Sequence, residues 1–167
     1  SDTHGHLDQK MINHVNWADE VWHAGDIGEY SIIEKISKLK PLRAVFGNID
    51  NQLLRSQFKK YLVFYCEEVK VLITHIGGYP GKYNLKLKKL LLEEKPKIYI
   101  CGHSHILKVI SDKKLNLIHM NPGAAGFNGF HKIRTMIRFT INKKEIQNLE
   151  VVELGLRGKI ISNDRQT

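Results

Sequence analysis

Two hydrophobic patterns take turns along the chain. In residues 8–17, apolar Met11, Ile12 and Val15 alternate with polar Lys10, Asn13 and His14, the spacing of a short amphipathic helix. Ile32, Ile33, Ile36 and Leu39 repeat that spacing over residues 31–39, with Ser31 as the predicted N-cap, and residues 85–92 predict a third helix. Short apolar runs at 20–24, 42–46 and 97–101 predict buried strands, each ending at a glycine: Gly25, Gly47 and Gly102. Residues 61–66 and 69–74 predict a strand pair turning at Glu67-Glu68. Further strands are predicted at 107–110, 115–120, 134–141 and 146–154, with turns at Ser111-Asp112-Lys113 and Asn142-Lys143. Helices alternating with strands, followed by hairpins, predict a mixed α/β layered sandwich.

Composition narrows this picture without redirecting it. A chain of 167 residues corresponds to one domain, predicted here as residues 1–156. Residues 157–167, with Arg157, Lys159 and Arg165, read as a basic C-terminal tail. Apolar residues at 42% and charged residues at 26% exclude a disordered or collagen-like chain. The longest stretch without Asp, Glu, Lys or Arg, residues 115–131, carries Pro122, Gly123, Gly126 and Gly129 and cannot span a bilayer, so no membrane partner is expected. Cys66 and Cys101 lie in apolar runs and form no disulfide framework, which points to a reducing, cytoplasmic setting. The net charge of +9 favours an anionic partner.

The candidate chemistry gathers where buried strands end. Asp2-x-His4 opens the chain, Gly25-Asp26 and Gly47-Asn48-Ile49-Asp50 follow two predicted strands, His75 closes another, and Gly102-His103-Ser104-His105 follows a fourth. In open α/β sheets, functional groups collect at the carboxyl ends of strands. In extended backbone, residues two apart face the same side, so each member of Asp2/His4 and of His103/His105 can point at one ion. Two carboxylates, four imidazoles and one carboxamide, with no thiolate, suit Mn, Fe, Zn, Ni or Co rather than Ca or Mg. That donor set is too large for one tetrahedral ion and suits two ions sharing a bridge, an arrangement used in phosphoester hydrolysis.

In this order the motifs resemble the calcineurin-like metallophosphoesterase superfamily, and most closely its small single-domain bacterial and archaeal phosphodiesterases. The resemblance runs from Ser1 through Asn121-Pro122-Gly123. It implies a four-layer αββα sandwich of two mixed sheets, with a dinuclear metal site at one edge. It implies that Asp2, His4 and His105 hold one ion and that Asn48, His75 and His103 hold the other, with Asp26 bridging. Asn48, also facing the substrate phosphate, and Asp50 are the expected catalytic residues, and His6 and His23 are candidate substrate contacts. His14, His119 and His131 read as surface or packing residues.

The implied activity is a metal-dependent phosphodiesterase, its hydroxide activated by a dinuclear site that most resembles a manganese site. A small phosphodiester is the expected partner; nucleic acid stands behind it for want of aromatic residues interleaved with basic ones, and a homo-oligomer stays open. Two rivals remain: a nuclease, and a binding scaffold such as the small subunit of the retromer coat. The chain departs from the wider superfamily in two places. Ile49 stands where a leaving-group histidine is common. An apolar strand of about five to eight residues precedes Asp-x-His in the family, so such a strand is expected upstream of Ser1.

Overall fold

The computed structural model describes residues 1–158. In chain order the elements are α1 (Gln9–Trp17), β1 (Val21–His23), α2 (Tyr30–Leu39), β2 (Leu42–Ala44), α3 (Gln52–Gln57), β3 (Tyr61–Cys66), β4 (Val69–Thr74), α4 (Leu85–Glu94), β5 (Ile98–Ile100), β6 (Leu107–Asp112), β7 (Leu117–Pro122), β8 (Ile133–Asn142) and β9 (Glu145–Leu156). The largest sheet has the order β3-β4-β5-β7-β6. Its centre, β4-β5-β7, is parallel, and its two edges are antiparallel. Both faces of that centre are covered, which is why β4 and β5 are nearly continuous apolar runs.

Alternation along the strands sorts side chains to two cores. Val71, Ile73, Ile98, Ile100 and Met120 point to one side, where Ala24, Val45, Trp22 and Phe139 from β1, the end of β2 and β8 meet them. Leu72, Tyr99 and Leu117 point to the other and are covered by Leu87 and Leu91 of α4. Beyond β1 and β2, α2 and α3 pack Ile32, Ile33, Ile36 and Leu54 against Ala44. The order of layers is therefore α4, five-stranded sheet, second β-layer, and the helices α1–α3: an αββα sandwich.

The second β-layer is not one continuous sheet. It consists of a parallel pair, β1-β2, and an antiparallel pair, β8-β9. Residues 1–5 join them. On one side the N–H groups of Asp2, His4 and Gly5 donate to the carbonyls of Gly25, Asp26 and Ile27; on the other, Ala125 and Gly126 donate to the carbonyls of Ser1 and Asp2. Beside this junction a groove of about 460 Å³ separates β1 from β8, lined by Trp22, Ala24, Ile100, Met120, Ile137 and Phe139.

Local signals explain where element boundaries differ from the sequence pattern. Asp8 caps α1, its carboxylate accepting from Met11 N–H at 3.0 Å. Ser31 is not the cap of α2: the helix starts at Tyr30 behind Glu29, after Gly28 has turned the chain at φ +89°, and the Ser31 hydroxyl bonds Glu29 instead. β7 starts at Leu117 rather than Leu115, because Asp112 accepts from the N–H groups of Lys114 and Leu115 and folds that stretch into a turn. α3, which the hydrophobic pattern does not reveal, is six residues long and buries only Leu54. Of the basic tail expected at 157–167, Arg157 bonds the carbonyls of Lys132 and His131, while Lys159 and Arg165 lie outside the described residues.

Candidate metal centre

Five loops meet at the carboxyl ends of β1, β2, β4 and β5. They bring two groups of donors together, Asp2, His4, Asp26 and His105 in one and Asp26, His75 and His103 in the other, with the ligand atoms of each group within 4.8 Å of one another. Asp26 belongs to both. Its Oδ1 lies 3.2 Å from His75 Nε2 and its Oδ2 lies 3.8 Å from His4 Nε2, so one oxygen faces each group. Asn48 joins the second group through Oδ1, 3.0 Å from His75 Nε2.

The contacts behind these side chains set how they face inward. His75 Nδ1 donates to the Ala24 carbonyl at 2.8 Å, which leaves Nε2 directed at Asp26 and Asn48. Burial opposes charge on His75, but its hydrogen bond to Asp26 and the nearby Asp2 and Asp26 carboxylates outweigh that and hold its pKa above the ordinary value. Asp2 is fully buried; Oδ1 accepts from His103 N–H at 3.1 Å and lies 3.2 Å from His105 Nε2. Burial alone would raise its pKa, yet the hydrogen bond to His105 helps to bring it below the ordinary carboxylate value.

The donor chemistry fits divalent cations. Asp2 Oδ2 is buried and has no hydrogen-bond partner. His4 Nε2 and His105 Nε2 face each other at 3.3 Å, and Asn48 Oδ1 and Asp26 Oδ1 both face His75 Nε2. Electron pairs that converge this way repel unless a proton or a cation lies among them.

The backbone makes the same point. Asp2, His4, Asp26, His103 and His105 all have positive φ, between 47° and 67°. Non-glycine residues seldom adopt that region, and five together place local strain at this one centre. The glycines in the motifs serve close approach: a Cβ on Gly47 would lie 2.0 Å from Asp26 Oδ1, one on Gly25 would lie 2.7 Å from His75 Nδ1, and one on Gly102 would lie 2.7 Å from Asp2 Oδ2.

Asp50, expected as a catalytic residue that orients its loop, and His23, a candidate substrate contact, both stand behind the centre. Asp50 is buried, with Oδ1 accepting from Gly28 N–H at 2.8 Å and Oδ2 from Gly47 N–H at 2.7 Å. Both oxygens are thus used to tie the loop after β1 to the loop after β2, and Asp50 is a positioning residue. His23 is also buried. The Thr3 hydroxyl donates to the Ile27 carbonyl, so it accepts from His23 Nε2, while His23 Nδ1 accepts from Gly25 N–H. Burial pushes its pKa well down and keeps it neutral. His6 is partly exposed, 3.1 Å from Asp8 and packed on the Phe127 ring.

Other neighbours carry no motif. Arg55 of α3 donates to the carbonyls of Asp50, Gly47 and Asn48 and clamps that loop from below. His131, read from sequence as a surface or packing residue, sits with its ring 5.5 Å from that of His105. The side chain of Ile49 points outward, and its N–H donates to Asp26 Oδ1 at 3.1 Å. Ile49, Ile76 and Ile106 each follow a donor in the chain and are 46%, 48% and 59% exposed, so a polar floor has an apolar rim.

Comparison with known proteins gives the fold and the family. A probable metallophosphoesterase of Methanothermobacter thermautotrophicus is 25% identical over 131 residues, covering 74% of this chain and 73% of its own. Among solved structures, an archaeal phosphodiesterase superposes with a TM-score of 0.72 at 22% identity, over 92% of this chain and 96% of its own. A single mutant of Vps29 from Entamoeba histolytica gives 0.70 at 16% identity, over 90% and 91%. A predicted phosphoesterase from Streptococcus pneumoniae gives 0.63 at 20%, over 91% and 94%. Residues 1–144 match the calcineurin-like phosphoesterase superfamily domain, and the chain belongs to that family of metallophosphoesterases.

Proposed function

We propose that the protein hydrolyses small phosphodiesters at a dinuclear centre. Asp2, His4 and His105 would hold one divalent ion, and Asn48, His75 and His103 the other, with Asp26 shared. The observation that carries this reading is Asp26 itself, whose two oxygens face two separate groups of donors. When bound, such ions supply Lewis acidity and a water acidic enough to lose its proton near neutral pH. Nitrogen and oxygen donors without thiolate favour manganese over a structural zinc.

The chain's own residues then have distinct tasks. His75 is held by Ala24 in the tautomer that presents Nε2 inward. Asn48 directs Oδ1 to the centre, leaving its amide N–H groups to donate to a phosphoryl oxygen. Ile49 offers no proton, so leaving-group protonation falls to water, and readily departing groups such as phenolates are favoured. The unpaired Cys66 and Cys101 support a reducing, cytoplasmic setting.

The test is a metal-by-substrate screen covering aryl diesters, cyclic nucleotides, monoesters and oligonucleotides. Manganese-dependent turnover of diesters above monoesters is the expected result. Full hydrolysis by chelated protein would overturn the reading. A binding scaffold is the second reading, favoured by the exposed rim at Ile49, Ile76 and Ile106; a fully metal-loaded protein inert toward every ester would select it.

A further inference from the structure

Next to the second group of donors lies a cavity of about 170 Å³ that the reaction outlined above does not use. His103 and Gly102 form the wall it shares with the metal centre, Ile76, Tyr79 and Ile106 form its apolar sides, and His119 and Lys108 supply its polar atoms. We propose that this cavity is an ester-group subsite that takes a single aromatic ring of the phosphodiester. The inference rests on the phosphodiesterase reading and specifies its substrate.

Size comes first. An apolar cavity of roughly 150 Å³ holds one benzene ring, so this one matches a single six-membered ring in volume. Chemistry agrees with size. The Lys108 ammonium lies 3.9 Å from the centroid of the Tyr79 ring, and no carboxylate among the described residues pairs with it. It is thus a cation already held against one aromatic face, and it can meet the face or an electron-rich substituent of a second ring. His119 is 1% exposed and its Nδ1 is buried without a partner. Burial, with Lys108 adding to it, lowers the His119 pKa to about 4, so the ring is neutral and able to accept or donate one hydrogen bond. With so little of it exposed, His119 serves as a closed, neutral floor to the cavity.

The placement follows from the fold. Ile76 and Ile106 stand one residue beyond the donors His75 and His105 in the loops after β4 and β5, and both are exposed beside the centre. A phosphate at the centre would therefore have its ester group beside apolar walls.

Calorimetric titration of the manganese-loaded protein with uncleavable phosphonates, each as its monomethyl ester so that it carries the single charge of a diester, tests this without reading turnover. Phenylphosphonate is expected to bind at least about 10-fold more tightly than methylphosphonate, the low end of what filling a small apolar pocket contributes. 1-Naphthylphosphonate is expected to fall back toward methylphosphonate. In Tyr79→Ala and Ile106→Ala the phenyl advantage should collapse, with methylphosphonate affinity held within about 2-fold, well below that pocket-filling effect. Equal affinities for phenyl and methyl, or an unchanged phenyl preference in both variants, would overturn the subsite. If neither phosphonate binds at all, the phosphodiesterase reading itself fails, which is a different result.

Discussion

Asn48, His75 and His103 ride on loops leaving strands that are already paired, whereas Asp2 and His4 lie on a segment that joins two separate strand pairs. The first set is fixed locally: β4 and β5 lie at the centre of the five-stranded sheet, β2 pairs with β1, and Arg55 and Asp50 hold the Asn48 loop from below. The second set depends on hydrogen bonds running from residues 1–5 to Gly25, Asp26 and Ile27 on one side and to Ala125 and Gly126 on the other. One half of the centre is thus a product of sheet pairing. The other half is itself part of what holds the second layer together, so occupancy there should be felt in global stability.

The largest expected effect falls where the halves meet. Asp26→Asn should lower kcat/KM by about 10³-fold or more, as expected on losing a preorganised charge, and elemental analysis should show metal lost from both halves. Loss of metal from one half alone would mean that Asp26 is not shared. Next comes metal removal. At about 100 times Kd each ion stabilises the fold by about 2.7 kcal/mol, so chelation should lower the melting temperature. That metal-dependent shift should shrink more in Asp2→Ala than in His103→Ala. Equal shrinkage would break the contrast between the halves.

A smaller effect is expected from loosening one half without touching a ligand. Asp50→Ala frees the Gly47–Asn48 loop and should weaken metal affinity by about 10–100-fold, the usual range for residues behind a metal ligand. Asp50→Asn, which can accept one of the two amides, should recover part of it. Affinity unchanged in Asp50→Ala would show that Arg55 alone fixes the loop. The smallest effect lies outside the centre, at the cap of α1. Asp8→Ala should cost about 1–3 kcal/mol, the worth of a helix cap together with the charge-assisted bond from buried Arg134, measured by denaturant unfolding. Burial works against the Asp8 charge, but Met11 N–H, Arg134 and His6 bring its pKa down from 3.8 to about 2. A depressed carboxylate contributes fully above the unfolded value and loses that contribution as pH falls through the folded one. The difference between parent and variant should therefore persist above pH 3.8 and vanish on acidification through about 2.

Much of this was legible before any coordinates. Asp26, Asn48, His75, His103 and His105 were visible because they follow apolar strands, and Asp2-x-His4 because of its pairing of donor types. The extended backbone assumed for the pairs spaced by two is not what the structure has, since Asp2, His4, His103 and His105 all have positive φ. A mixed α/β layering followed from strands that are apolar on both faces beside helices that are apolar on one, while the αββα order came with the resemblance of the motif set to the calcineurin-like family. Arg55 carried no signal, since its work is done through three carbonyls and any exposed arginine looks the same in sequence. α3 escaped because a helix with one buried residue has no periodicity to detect. The burial of His23 was not legible, because adjacency to a motif says that a residue is near the centre, not which side of the loop its side chain takes.

The left-handed backbone at Asp2, His4, Asp26, His103 and His105 has a consequence for tolerance to substitution. Glycine adopts that region without steric penalty, and a non-glycine residue there typically loses about 1–2 kcal/mol relative to it, less for Asp. Each of these five positions is therefore one where the residue best for folding and the residue needed for chemistry are different. A library selected only for thermal stability should drift toward glycine at all five, and one selected for turnover should resist it. The chain keeps a charged or imidazole side chain at each of them, and so sits at the functional end of that trade-off.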